Sequence, residues 1–313
     1  MNSHSGSGLH VGLVGCGRWG RLVLRDLKQL GARVSVVARS EASRANALTY
    51  GADRIVGSID ELEESIDGYV VASIASAHVG NIRALLPRGR PIYVEKPLAI
   101  DLKEAEALAA EARELVRVMH KWRYHPGIEA LSDLIRSGEL GALRGLRLQR
   151  TNWGRQHPDV DCALHLLPHD LSIALHLLGD LPPIDTVIPN PVGSNRFGFV
   201  ANLFDPKRDL RVALDVNNLV PGNVRSFSTG FEKGVASLTD SYSDAIRLYR
   251  YGQGESPEIR PISKEWPLHR QLRVFLDYLR GGPPPLSSIE DELRILRRVF
   301  EVREKLYDCG EDA

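Results

Sequence analysis

At 313 residues, 43% hydrophobic and 26% charged, the chain has the composition of an ordinary globular protein with room for one large or two ordinary domains. Lys plus Arg and Asp plus Glu both total 40, so no basic excess speaks for a nucleic-acid partner. No apolar run is long enough to span a membrane, which argues against a membrane partner.

The first 120 residues alternate strand-like and helix-like patterns, as a parallel sheet covered by helices does. A short apolar strand over 9–14 comes first. A helix follows, with Trp19, Leu22, Val23, Leu27 and Leu30 close to a 3.6 period, and Gly31 ends it. The stretch 33–38 reads as a strand and 41–50 as a helix. Ser58 and Glu61 have the spacing of a capping box and predict a further helix. Buried strands are expected over 69–74 and 92–95. Asp101 and Glu104 cap a helix carrying Leu102, Ala105, Leu108, Ala109 and Ala112, and 115–119 supplies a sixth strand.

After about residue 120 the strands alternate apolar and polar. Leu210, Val212, Leu214 and Val216 form one series, and Phe197, Phe199, Ala201 and Leu203 another, the pattern of a sheet with one face packed and one free. Two helices close the chain, one carrying Leu268, Leu272, Phe275, Leu276 and Leu279, the other Ile289, Leu293, Leu296, Val299 and Phe300. The run 281–285 (GGPPP) separates them. The expected architecture is therefore α/β, with an N-terminal doubly wound parallel sheet over 1–120 and an α+β domain with an open, largely antiparallel sheet over 121–313. The C-terminal helix is free in this reading to pack back on the first domain.

The polar lead-in 1–8 has neither the charged start nor the apolar stretch of a signal peptide. Three well-separated cysteines (Cys16, Cys162, Cys309) suit a reducing compartment, so a cytoplasmic location is expected.

Gly15-Cys16-Gly17-Arg18-Trp19-Gly20 fits G-x-G-x-x-G directly after a strand and at the start of an amphipathic helix, the context in which that motif binds a dinucleotide. Gly15 permits the tight turn, Gly17 lets the backbone approach a pyrophosphate, and Gly20 lets the helix pack on the sheet. The anion rests on the helix N-terminus, where Arg18 and Trp19 lie. An NAD site usually carries an acid about 20 residues beyond the glycines for the ribose 2′-hydroxyl. Ala38-Arg39-Ser40 stands there instead, and Arg39, Ser40 and Arg44 suit a 2′-phosphate. NADP is the expected cofactor, with NAD the alternative.

Glu95-Lys96-Pro97-Leu98 ends the fifth strand, on the edge where ligands of such sheets bind. Together with the glycine loop, this tetrapeptide resembles the Gfo/Idh/MocA family of oxidoreductases. The resemblance runs on through 120–126 (HKWRYHP), 138–141 (GELG), His169-Asp170-Leu171-Ser172 ending at Gly179, and Ser287-Ser288 before the last helix. It implies hydride transfer at a carbon bearing oxygen in a sugar-like or cyclitol-like small molecule, and a second domain that often mediates a homodimer or homotetramer. It also implies a catalytic Lys96 beside the nicotinamide, able to stabilise an alkoxide, and a proton-transfer His169. Glu95 and His78 are implied near the cofactor, and His120, Tyr124, His165 and Asp170 near the substrate. The Lys96–Pro97 bond is implied to be cis.

Two departures stand out. His165 occupies a position where many catalytic relatives carry Asp, and Ser76-Ala77 precedes His78 where relatives more often have Thr-Pro. The first keeps open a non-catalytic dinucleotide-binding regulator of the same fold, although such a protein has no need of both Lys96 and His169. His165 and His169 are four apart, yet Pro168 is expected to interrupt the turn, and no metal is expected. Cys162 lacks the companions of a nucleophilic thiol. Trp153 and Arg155 are further residues with the chemistry to line a pocket.

Overall fold

The computed structural model describes residues 8–154, 159–190 and 197–308. Arg155, Cys309 and the lead-in before residue 8 lie outside the described residues. The chain divides into two compact units, residues 1–121 with 266–292, and 122–265 with 293–313.

The first unit holds a six-stranded parallel sheet in the order β3-β2-β1-β4-β5-β6. Its strands are β1 (His10–Val14), β2 (Arg33–Val37), β3 (Arg54–Val56), β4 (Gly68–Val71), β5 (Ile92–Glu95) and β6 (Val116–Met119). The helices α1 (Gly20–Gln29), α2 (Glu41–Thr49), α3 (His78–Leu85) and α4 (Leu102–Ala112) connect them. Burial on both faces explains why β1, β2 and β4 read as continuous apolar runs. Helix starts follow the local chemistry: the Ser40 side chain accepts from the Ser43 N–H, and Asp101 from the Glu104 N–H.

The capping-box pair does not start a helix. Ser58 Oγ donates to Glu61 Oε1 at 3.0 Å, so the hydroxyl is spent on the carboxylate, and bends and turns occupy 57–66.

The helix α7 (Pro267–Leu279) groups with the first unit, not with the second as a boundary at residue 121 places it. Leu272, Phe275 and Leu276 share one core with Val23, Leu24 and Leu27 of α1 and with Val70 and Tyr93. Gln271 Nε2 donates to the Tyr93 hydroxyl at 2.8 Å, and the Tyr93 and Phe275 rings lie 5.0 Å apart. Chain order does not record which sheet a helix covers.

The second unit is built on eight strands: β7 (Leu143–Thr151), β8 (Ile184–Pro189), β9 (Gly198–Asp205), β10 (Leu210–Asn217), β11 (Arg225–Phe231), β12 (Gly234–Leu238), β13 (Ala245–Arg250) and β14 (Glu258–Pro261). Their order is β14-β13-β12-β11-β7-β10-β9-β8, and every pairing except β7 with β10 is antiparallel. The alternation in β10 is the expected one: Leu210, Val212, Leu214 and Val216 are buried, while Arg211 is exposed. α5 (Pro126–Ser137) and α6 (Cys162–Leu178) belong to this unit, and α8 (Ile289–Asp308) contributes all but its first turn. Among the described residues, no helix is long and apolar enough to cross a membrane.

The sheet's β14 edge is closed by charge. Glu139, in the turn after α5, accepts from Arg260 at 2.5 and 2.8 Å and from Arg250, while Arg260 also donates to Glu258 at 2.6 Å. The two guanidinium groups hold the Glu139 carboxyl at about 2, below its ordinary 4.5. A depressed carboxyl stabilises the fold above its unfolded value and loses that contribution as the pH falls toward its folded one. Glu139→Gln should therefore lower the thermal midpoint by about 1–3 °C at pH 7. Calorimetry should find that gap closing between pH 4.5 and about 2.

Candidate functional site

The turn from β1 into α1 has no room for a side chain at Gly15 or Gly20. Gly15 has φ of +94°, and its N–H donates to Val37 O at 3.0 Å. A Cβ on Gly15 would stand 2.9 Å from Ala72 O, and one on Gly20 only 2.3 Å from Gly15 O. Gly17 differs: a Cβ there would meet nothing within 4 Å, so its face is open. Trp19, the residue before the helix, makes no side-chain cap. An uncapped helix start beside an open glycine face is a cradle for a diphosphate, and the residues present fit a dinucleotide. Asn46 of α2 braces the loop by donating to Cys16 O at 2.9 Å, a contact with no sequence signature. Burial pushes the Cys16 thiol up to about 11, which makes it inert.

Beyond the end of β2, Arg39, Ser40 and Arg44 are all exposed. Ser40 also caps α2 through the Ser43 N–H at 3.2 Å, and Arg44 reaches toward Gly57. Two guanidinium groups and a hydroxyl are thus exposed beyond the end of β2.

The end of β5 is joined to the glycine loop by the Trp19 indole, which donates to Glu95. The Lys121 ammonium sits 4.4 Å from the Trp19 ring centre. Burial raises the Glu95 carboxyl above its ordinary value, opposed by the Trp19 bond and the positive charges of Lys96 and Lys121. The Lys96–Pro97 peptide is cis, and Lys96 is partly exposed. His78, expected at the cofactor, is 1% exposed. Its ring nitrogens lie 2.8 Å from Pro97 O and 3.2 Å from Ser73 O, so it braces the loop carrying Lys96 and presents no open face. His120, expected at the substrate, is likewise enclosed, with Nε2 at 2.6 Å from Glu292 Oε2.

In the second unit α6 runs unbroken through Pro168, correcting the expectation that this residue interrupts the turn. Asp161 caps the helix by accepting from the Leu164 N–H at 2.9 Å, and Arg303 donates to its other oxygen at 2.8 Å. Between Cys162 and Leu175 every residue is buried except His165 and His169, four apart on one face. Ser172 Oγ donates to the carbonyl of His169 at 3.0 Å. Asp170 points the other way: its carboxylate is fully buried and takes three bonds of 2.6–3.0 Å from Arg150. Burial and that pairing remove Asp170 from any substrate. Arg150, missed in the sequence because it reads as one more strand arginine, also lies 4.8 Å from the Trp122 ring centre. Tyr124 is buried and Trp153 exposed. The Cys162 thiol is pushed up to about 12 by burial, which removes it as a nucleophile. Among the described residues no group of three ligating side chains has the geometry of a metal site.

Residues 9–121 match the family described as an oxidoreductase family with an NAD-binding Rossmann fold. The chain is 32% identical over 299 residues to inositol 2-dehydrogenase of Burkholderia ambifaria, covering 88% of this chain and 87% of that protein. It is 23% identical over 307 residues to UDP-N-acetylglucosamine 3-dehydrogenase of Acidithiobacillus ferrooxidans, 94% of this chain and 96% of that one. The solved structure of that enzyme superposes with a TM-score of 0.82 over 97% of this chain and 99% of its own, at 22% identity. A 3-ketoreductase from Actinomadura kijaniata, solved in complex with TDP-benzene and NADP, shares the fold with a TM-score of 0.81 at 19% identity, covering 95% of this chain and 97% of its own.

Removing one partner of the Arg150–Asp170 pair leaves a buried charge uncompensated. Arg150→Met should cost about 3–5 kcal/mol in denaturant unfolding, and adding Asp170→Leu should restore much of the loss. An additive double variant would mean that the pair does not act as a unit.

Proposed function

The chain belongs to the Gfo/Idh/MocA family of NAD(P)-binding oxidoreductases, and from that premise we propose that it moves a hydride to or from a hydroxyl or keto carbon of a sugar-like or cyclitol-like molecule, with NADP preferred. The observation that supports this reading is the hydrogen bond from Trp19, in the glycine loop, to Glu95 at the end of β5, the residue before Lys96.

The dinucleotide, when bound, supplies the hydride donor or acceptor. Lys96 donates a proton to the carbonyl oxygen as hydride arrives, or, in the opposite direction, holds the alkoxide from which hydride leaves. His169 exchanges the proton with solvent, a task suited to a group titrating near neutrality. His165 offers a hydrogen bond to a substrate hydroxyl in place of a carboxylate. Glu95, drawn toward the neutral form by burial, bonds to the cofactor side of the pocket. Arg39, Ser40 and Arg44 bind the 2′-phosphate. The reading keeps Tyr124 at the substrate, and gives His78, His120 and Asp170 supporting tasks consistent with their burial. Assembly as a homodimer or homotetramer belongs to the same proposal.

Titration with NADPH and NADH, followed by a panel of keto sugars and cyclitols, tests the whole reading. Tight binding and oxidation of NADPH by one member of the panel is the expected result. Lys96→Ala should lower turnover at least about a hundredfold with the NADPH Kd nearly unchanged. Normal turnover in that variant would end the assignment of Lys96. Arg39→Asp should weaken NADPH about tenfold or more and NADH little, and an unchanged preference would remove the 2′-phosphate argument.

A further inference from the structure

The first turn of α8 contains three consecutive acids, Glu290-Asp291-Glu292. Glu290 pairs with Arg113 near the surface, whereas the Glu292 side chain is 0% exposed. Its Oε1 accepts from the Leu98 N–H at 3.1 Å, and its Oε2 lies 2.6 Å from Nε2 of His120, itself 0% exposed. Leu98 lies two residues beyond Lys96, and His120 follows β6. The segment leading into α8 is seated along β6: the Val118 N–H donates to Ser287 O at 3.2 Å, and Arg117 bridges to Ser288. The Glu292 N–H in turn donates to Ser288 O at 3.3 Å.

We propose that Glu292 is a positioning residue for Lys96, acting through the Leu98 N–H and His120; the inference rests on the role given to Lys96 above. The loop 96–98 is gripped on two sides, since His78 Nδ1 meets Pro97 O at 2.8 Å while Glu292 takes the next N–H. A buried carboxylate is stable only while its partners remain in place. Displacing the loop takes a donor from Glu292, and removing Glu292 takes one partner from His120 and the acceptor from the Leu98 N–H. The energetic coupling runs both ways, so a carboxylate that touches neither cofactor nor substrate sets where the Lys96 ammonium stands. Both partners fit one protonation pattern: Leu98 donates from its backbone, His120 donates from Nε2, and Glu292 accepts twice.

Three variants of the full chain test this, Glu292→Leu, Glu292→Asp and Glu292→Gln. Each is followed by hydrogen–deuterium exchange over 96–99, NADPH binding and steady-state turnover. Glu292→Leu should speed exchange at Leu98 by about tenfold or more and lower kcat by about a hundredfold, while the NADPH Kd moves less than about threefold. Glu292→Asp, which keeps the charge but withdraws the oxygens, should do the same in lesser degree and stands in if the leucine variant does not fold. Glu292→Gln keeps an acceptor for Leu98 and offers an N–H to neutral His120, so exchange and kcat should return to within about threefold of the parent. Unchanged exchange at Leu98 in the leucine and aspartate variants would overturn the proposal. So would faster exchange with normal kcat, or a parallel loss of NADPH binding and turnover that Gln does not rescue. If the parent binds NADPH but turns over nothing, the functional reading fails, and exchange at Leu98 alone still decides whether Glu292 anchors the loop.

Discussion

The carbonyl oxygen of Gly15 lies 2.3 Å from where a Cβ at residue 20 would stand, and α1 can begin where it does only because no Cβ is there. That approach aligns the start of α1 with the carboxyl ends of β1 and β4, and with it the position of Trp19. Trp19 then reaches Glu95, which fixes the end of β5 relative to the loop. The order of dependence is backbone first and side chain second. Without the close approach of helix to loop, the indole has no carboxylate within reach, and Lys96 has no fixed relation to the open face of Gly17. Alignment of these strand ends is the general reason that parallel sheets bind ligands on this edge.

Buried polar contacts, alongside apolar packing, hold the groups around that edge. His78, His120 and Glu292 are nearly or wholly enclosed: His78 meets Pro97 O and Ser73 O, Glu292 takes the Leu98 N–H, and His120 meets Glu292. Such contacts add little net stability, because desolvation offsets most of the attraction. Their directionality is what they contribute: an apolar contact survives a rotation that a two-point carboxylate does not. The second unit repeats the device with Arg150 and Asp170 behind α6. The bidentate fork fixes the orientation of the helix, and the partly exposed His169 is the neighbour of the residue being held.

The sequence revealed most where a residue type has one physical use. Gly-x-Gly-x-x-Gly between a strand and a helix, Asp101 ahead of Glu104, and the alternation in β10 each point to a single local arrangement, and each is present. It misled where a motif has two solutions. Ser58 and Glu61 satisfy the capping spacing, but their side chains bond to each other and no helix follows. The short α3, eight residues long and without a side-chain cap, was missed. Tertiary facts were hidden for a different reason. Glu292 reads as the third member of a solvated acidic turn, and only the packing along β6 turns it inward. Asp170 and His120 carry the chemistry of substrate ligands, and nothing in their neighbours along the chain records that Arg150 and Glu292 already occupy them. The first unit's claim on α7 likewise depends on Phe275 meeting Tyr93, a contact across 182 positions that no local pattern encodes.

The unbroken course of α6 through Pro168 bears on which of its side chains stay outside the core. A helix interior that accepts proline gives up a backbone hydrogen bond at a cost of about 3 kcal/mol. That cost is tolerable here because Leu164, Leu166, Leu167 and Leu171 bury almost completely around it. The same burial leaves only His165 and His169 of the stretch 162–175 outside the core. A carboxylate at residue 165 would accept hydrogen bonds only and would place negative charge four residues from His169, favouring its protonated form. A neutral imidazole donates from one nitrogen, accepts at the other, and adds no charge. An imidazole at residue 165 therefore sets the electrostatics of the helix face independently of the Asp161 cap and the Arg150 clamp.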